Sequence, residues 1–90
     1  MAEDDDLALV RRLAPEVLAM LVRRYGHFDA CEDAVQEALV AASVQWPAEG
    51  RPASPKAWLM TVASRRLIDE LRSEESRRRR EQTEAAMAGA

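Results

Sequence analysis

Apolar residues recur three or four positions apart through most of the chain, which is the spacing of amphipathic helices. The clearest stripe begins after Asp29, the predicted N-terminal cap, because Glu32 follows three residues later as in a capping box. Pro47 is expected to end this helix, since proline disrupts a helix interior. Small alanines in the stripe allow close approach of neighbours, so this is the predicted central helix. The stripe comprises Cys31, Ala34, Val35, Ala38, Leu39, Ala42 and Trp46.

Two earlier segments with the same spacing lie on either side of Pro15. The first predicts a short helix from the acidic N-terminus to about Leu13. Proline is well tolerated at the first position of a helix, so a second helix is predicted from Pro15 to Tyr25. Gly26 is its predicted end. The apolar positions of the two segments are Leu7, Val10, Leu13, Val17, Leu18, Leu21 and Tyr25.

Pro55 to Arg72 is predicted to form a further amphipathic helix, because Ser54 and Pro55 form a strong start signal. Residues 47–54 before it contain two prolines and a glycine without periodicity, which predicts a loop. The apolar side of the helix carries Leu59, Met60, Ala63, Leu67, Ile68 and Leu71. The other side carries Trp58, Thr61, Arg65, Asp69 and Arg72.

The composition agrees with an all-α fold. Hydrophobic residues make up 48% of the 90 residues and aromatic residues only 4%, which is typical of packed helices and not of a sheet. We therefore predict one compact bundle of three main helices plus a short N-terminal helix. The helical domain is expected to span residues 1–80, with residues 81–90 as the start of a linker or a disordered tail.

Few residues could support catalysis, metal binding or secretion. The only histidine, His27, falls at a helix-end turn, and Cys31 lies on an apolar stripe. Neither a metal site nor a cofactor site is expected, and the chain is not expected to be an enzyme. A single cysteine fits a reducing compartment, and the acidic start does not resemble a signal peptide. No apolar run reaches the about 20 residues of a membrane span, so a cytoplasmic protein without a membrane partner is predicted.

Charge is distributed unevenly along the chain. Residues 1–46 carry four basic and nine acidic side chains, whereas residues 51–80 carry nine basic and four acidic ones. This asymmetry suggests two surfaces for two partners, one of them a nucleic acid, although solvated helix faces explain the charges equally well. Candidate phosphate contacts on the basic side are Arg51, Lys56 and the helix arginines, and Thr61 and Ser64 can reach base edges.

Trp58 has two interpretations. Exposed on the polar side of its helix, it could stack on an unpaired base. Alternatively, it folds back over the preceding loop as a peripheral core residue. The sequence does not choose between them.

Two motifs resemble conserved region 2 of bacterial sigma factors, and the extracytoplasmic-function (ECF) group of the sigma-70 family most of all. The first is DACEDAVQE, from Asp29 to Glu37, with Cys31 as an extra residue relative to the family pattern. The second is AWLMTVASRRLIDELR, from Ala57 to Arg72. The resemblance covers about Leu7 to Arg80. It implies a bacterial transcription initiation factor domain.

The resemblance also implies partners and site residues. The helix that carries the first motif has an acidic face. This face is expected to bind the clamp helices of the largest subunit of core RNA polymerase. The loop and the helix after it are expected to bind the non-template strand of the minus-ten promoter element and to help melt it. The implied polymerase contacts are Asp33, Gln36, Glu37 and Val40. The expected DNA contacts are Arg51, Lys56, Trp58, Thr61, Ser64, Arg65 and Arg72.

The chain also departs from the family. Many members carry arginine and asparagine at the positions where this chain has Ser64 and Arg65. The second helical domain of ECF factors, region 4, has no counterpart, which predicts either an excised region 2 or one part of a longer protein. An anti-sigma factor is a further implied partner. The alternative function is a helical interaction adaptor without DNA contact of its own.

Overall fold

The fold consists of three helices arranged around the middle one. The computed structural model describes the backbone of residues 2–89 and the side chains of residues 5–89, and all regular structure in these ranges is helical. Helix α1 spans Ala2–Tyr25, α2 spans Phe28–Glu49 and α3 spans Pro55–Gly89. Helix α2 packs against both others, most extensively against α3. The all-α bundle of three main helices and the central place of α2 are confirmed.

The core follows the predicted stripe of α2. Six of its seven positions are buried, and several are alanines that let the neighbouring helices approach closely. Leu39 is the exception, because it is only partly buried against the core. The other helices contribute Val10, Val17, Leu21, Leu59, Ala63 and Leu67.

The predicted break at Pro15 is wrong, and with it the separate N-terminal helix. Helix α1 runs continuously through Pro15. A proline inside a helix leaves the carbonyl four residues earlier without its N–H partner. Here Pro15 and Arg11 are both exposed, so water can satisfy that carbonyl, and the buried Val10 and Val17 keep the two segments on one axis.

Both predicted ends of α2 are also displaced. The helix passes through the exposed Pro47 to Glu49, and the N–H of Gly50 donates to the carbonyl of Trp46 at 2.7 Å. At the other end, the capping position belongs to His27 and not to Asp29. His27 has left-handed backbone angles, φ 55° and ψ 63°, and makes no side-chain cap bond. Gly26 and His27 form a two-residue turn, so α2 begins at Phe28, before the predicted cap Asp29.

Helix α3 begins at Pro55 as predicted, and the N–H of Trp58 donates to the carbonyl of Ser54 at 3.0 Å to close its first turn. Its buried residues end at Leu67, and every residue from 72 to 89 is exposed. We call residues 72–89 the free arm. The part of the predicted tail that the structure describes, residues 81–89, is thus solvated but helical, whereas Ala90 lies outside the described residues.

The free arm makes the molecule elongated. The radius of gyration is 17.0 Å and the longest dimension is 64 Å. A compact 90-residue domain has a radius of gyration of about 12 Å. Among residues 2–89, none of the helices is both long and apolar enough to cross a membrane.

Candidate functional site

The loop between α2 and α3, residues 50–54, borders a surface cavity of about 520 Å³. We call it the loop cavity. Loop residues and the first three turns of α3 form most of its wall, because the short loop holds the end of α2 beside the start of α3. The lining residues are Gln45, Pro52, Ser54, Ala57, Trp58, Thr61, Val62 and Arg65.

Two tryptophans form the base of this region. The rings of Trp46 and Trp58 meet edge to face, with centroids 5.4 Å apart and planes inclined by 68°. Trp46 is 3% exposed, whereas Trp58 is partly buried and also lines the loop cavity. Trp58 therefore does pack back against the core, and it still presents part of its ring to the cavity. Edge-to-face contact fixes the orientation of that ring.

The predicted DNA contacts of α3 that follow Lys56 divide into two groups. Thr61 and Arg65 are exposed and line the loop cavity together with Trp58. Ser64 is partly buried and Arg72 is exposed, and neither is among the residues that line the cavity. The structure thus brings three of the predicted DNA contacts to one concave surface.

The two basic residues beside the loop are both paired with acidic residues of α1. The Arg51 guanidinium donates from Nε to Asp6 Oδ1 at 2.7 Å, and its Nη2 lies 2.7 Å from the same oxygen. Lys56 Nζ lies 3.6 Å from Glu16 Oε2 in a looser, more exposed pair. Sequence analysis missed Asp6 and Glu16, because ion pairs between residues 40 or more positions apart depend on the tertiary fold.

The acidic face of α2 forms a second surface. Asp33, Gln36, Glu37 and Val40 are all exposed, and Val40 has 63% of its surface accessible. A shallow cavity of about 310 Å³ lies along this face, and we call it the α2 groove. Its lining residues are Gln36, Glu37, Val40, Ala41, Val44 and Arg66.

Val44 and Arg66 were not predicted to belong to this surface. Val44 is 67% exposed and lies one turn beyond Val40, so the pattern of exposed apolar residues on α2 contained the signal. Arg66 comes from α3, where it is the direct neighbour of Arg65. Because successive helical residues are rotated by about 100°, the two arginines serve different cavities.

A third cavity, of about 470 Å³, lies between α1 and α2. Buried Trp46 forms part of its wall, and its Nε1 has no hydrogen-bond partner among the described residues. No pattern in the sequence predicted this cavity. The lining residues are Asp6, Leu7, Val10, Arg11, Leu39, Ala42, Ser43, Trp46 and Pro47.

His27 and Cys31 are not among the residues that line the three cavities. His27 is exposed at the α1–α2 turn. Cys31 is fully buried, its thiol donates to the carbonyl of Gly26 at 3.1 Å, and burial raises the pKa of that thiol. Within residues 2–89, no three His, Cys, Asp or Glu residues form a group that could hold a metal ion.

Comparison with known proteins agrees with this arrangement. Residues 9–78 match the Sigma-70 region 2 family, so the chain belongs to that family. It is also 40% identical over 67 residues to an uncharacterized protein of Rhizobium meliloti (strain 1021). That match covers 74% of this chain and 16% of the relative, so the chain spans only a small part of the relative's length. No solved structure matches the chain.

Proposed function

We propose that this chain is the region 2 domain of an ECF-type sigma factor, which binds core RNA polymerase and captures the non-template strand of the minus-ten element. Membership of the Sigma-70 region 2 family supports a role in transcription initiation. The observation that carries the proposal is the loop cavity, which joins an aromatic wall, a hydroxyl and a guanidinium on one concave surface. Because the domain would act with polymerase on promoter DNA, we place it in the cytoplasm. An anti-sigma factor is a further candidate partner.

The chemistry of the loop cavity suits an unpaired base. Trp58 offers part of a ring that is already oriented by Trp46, so a base can stack without first ordering the side chain. Thr61 can donate to or accept from a base edge, and Arg65 can bind a base or the adjacent phosphate. Because melting a promoter costs stacking and pairing energy, a cavity that holds one flipped base shifts the equilibrium towards the open form.

The other predicted DNA contacts surround this cavity. Arg51 and Lys56 are at the loop, where a phosphate must compete with Asp6 and Glu16 for them. Ser64 and Arg72 lie further along the same helix. An isolated domain with so few cationic contacts binds DNA weakly and in a salt-dependent manner, and polymerase supplies the remaining affinity.

The α2 groove is the proposed polymerase surface. It combines the exposed carboxylate of Glu37 with the exposed apolar side chains of Val40 and Val44. A basic, amphipathic coiled coil such as the polymerase clamp helices complements both features. Both proposed surfaces are lined by residues of α2 and α3, so the same packed helix pair carries the DNA site and the polymerase site.

The test begins with selection of single-stranded oligonucleotides from a random pool by the domain in complex with core polymerase. A fluorescence titration of the free domain with the selected strand then compares variants. Trp58→Ala is expected to weaken binding by about 5- to 150-fold, which corresponds to about 1–3 kcal/mol for a stacked base. Arg65→Gln is expected to weaken it and to lower the salt dependence.

Trp58→Phe is the control, because it keeps an aromatic ring in the wall and should retain most of the affinity. Circular dichroism of each variant reports whether the bundle is intact. Unchanged affinity in Trp58→Ala and Arg65→Gln, with an intact bundle, would contradict the proposed role of the loop cavity. If polymerase binds but no strand is selected, the chain is the interaction adaptor considered as the alternative.

A further inference from the structure

The free arm of α3 carries charge that neither the loop cavity nor the α2 groove uses. Residues 72–80 contain five arginines and two glutamates, and all of these side chains are exposed. The ion pair described within this stretch joins Arg78 Nη2 to Glu74 Oε1 at 3.8 Å, one turn apart on the helix. Residues 72–80 therefore present a net positive surface beyond the bundle, and the rest of the arm adds two acidic residues, Glu81 and Glu84.

Two arginines of the arm lie on the same side of α3 as the residues that line the loop cavity. Arg65, Arg72 and Arg79 are spaced by seven residues on one continuous helix. At about 100° per residue, these three and Thr61 lie within an arc of about 40°. The nearest acidic residues, Asp69 and Glu75, lie about 40° outside the two edges of this arc. We call this arc the arginine stripe.

The arm offers a protein partner little to bind. Its exposed large apolar residue is Met87, which is 73% accessible, and its alanines do not form the repeating stripe of a coiled-coil seam. A positive, polar stripe is instead complementary to a nucleic-acid backbone. Its continuity with the loop cavity indicates the same nucleic acid.

We propose that the arginine stripe contacts backbone phosphates of the double-stranded DNA that adjoins the captured strand, with Arg72 and Arg79 as the contacts. This inference rests on the proposed function of the loop cavity. Arg79 lies about 21 Å along the helix axis from Arg65, since each residue adds about 1.5 Å. That length corresponds to about six base pairs of duplex.

The experiment uses the full chain and forked DNA. Each fork carries the selected single strand, joined to an upstream duplex of zero, three, six or nine base pairs of arbitrary sequence. Wild-type affinity is expected to rise once the duplex reaches about six base pairs. Arg79→Gln is expected to weaken binding to the longer forks by about two- to fivefold and to reduce the salt slope by about 0.9, with no effect on the bare strand.

Arg77→Gln is the matched control. It makes the same change of charge in the same exposed arm, but it lies about 160° around the helix from Arg79. Glutamine and arginine have similar helix propensities, so neither substitution should unfold the arm. On the longer forks, Arg77→Gln is expected to have a markedly smaller effect than Arg79→Gln.

The outcomes separate the two proposals. If wild-type protein binds the bare strand but gains nothing from added duplex, or if Arg77→Gln and Arg79→Gln have equal effects, the stripe proposal is overturned and the loop cavity is not. If wild-type protein binds neither the strand nor any fork, the proposed function fails and the stripe proposal fails with it. A duplex-dependent loss confined to Arg79→Gln supports the stripe.

Discussion

Asp6 and Arg51 illustrate how a single contact can act on both stability and binding. Their side chains are 17% and 40% exposed, so water screens the pair only in part. Such pairs contribute about 0–1 kcal/mol to folding. The Asp6 carboxylate accepts from two nitrogens of the Arg51 guanidinium. In the proposed function, that guanidinium binds a DNA phosphate.

Asp6→Asn is therefore expected to have opposite effects on the two properties. The free energy of unfolding should fall by at most about 1 kcal/mol in a urea titration. Affinity for the selected strand should rise, and its salt slope should steepen by about 0.7, because Arg51 becomes available to one phosphate. Arg51→Gln is the companion variant and should lower affinity. If Asp6→Asn weakens DNA binding instead, Arg51 serves to hold the loop and is not a phosphate contact.

Residues with a local signal could be predicted from sequence, and residues with a tertiary role could not. Gly26 ends α1 as predicted, and Cys31 is a small buried residue as its apolar stripe indicated. The orientation of Trp58 depends on Trp46, which is 12 residues away across the loop, so the sequence left two alternatives open. The partners of Arg51 and Lys56 lie on another helix, and nothing near them in sequence identifies those partners.

At the scale of elements, periodicity predicted the helices better than proline predicted their ends. Ser54 and Pro55 mark the start of α3 correctly. Pro15 and Pro47 suggested helix ends at positions where the helices continue. Both prolines are exposed, and Pro15 has buried core residues on either side, whereas only two exposed residues of α2 follow Pro47. At Pro15, helix packing outweighs the loss of one backbone hydrogen bond.

The burial pattern of the helices gives a paired stability prediction. Leu67 of α3 is 0% exposed, whereas Leu39 of α2 is partly buried beside a cavity. Leu67→Ala should lower the free energy of unfolding by about 2–5 kcal/mol, which is a large part of the stability of a small domain. Leu39→Ala should cost clearly less. Thermal melts of both variants test this order, and equal losses would mean that Leu39 is as much a core residue as Leu67.

The exposed face of α2 gives a prediction about polymerase. Asp33→Arg places a positive charge on the surface proposed for the basic clamp helices, so it should weaken pull-down of core polymerase at least about tenfold. Gln36→Ala should weaken it less. Glu84→Arg makes the same change of charge on the free arm and is the control. Pull-down that survives Asp33→Arg with unchanged helix content would place the polymerase contact elsewhere.

At the scale of the whole molecule, α2 and α3 form the most extensively packed helix pair, and α1 packs against both. The family match over residues 9–78 includes all three helices but ends within the free arm. The bundle of three main helices and the Sigma-70 region 2 family could be predicted from sequence because both depend on local patterns. The elongated shape could not be predicted, since an arm without an apolar stripe gives no sign of whether it is helical or unfolded.

The continuity of α3 from the loop cavity into the free arm makes that helix a molecular ruler with a fixed rotational phase. In a background variant whose Arg77, Arg78 and Arg80 are replaced by glutamine, so that no neighbouring arginine can take the place of Arg79, one alanine inserted after Ser73 should turn Arg79 by about 100° relative to Arg65. Seven inserted residues should return it to within about 20°. Affinity for a fork with a long duplex should therefore oscillate with the length of the insertion, with helical periodicity. A flexible tether in place of the arm would instead weaken binding smoothly as it lengthens.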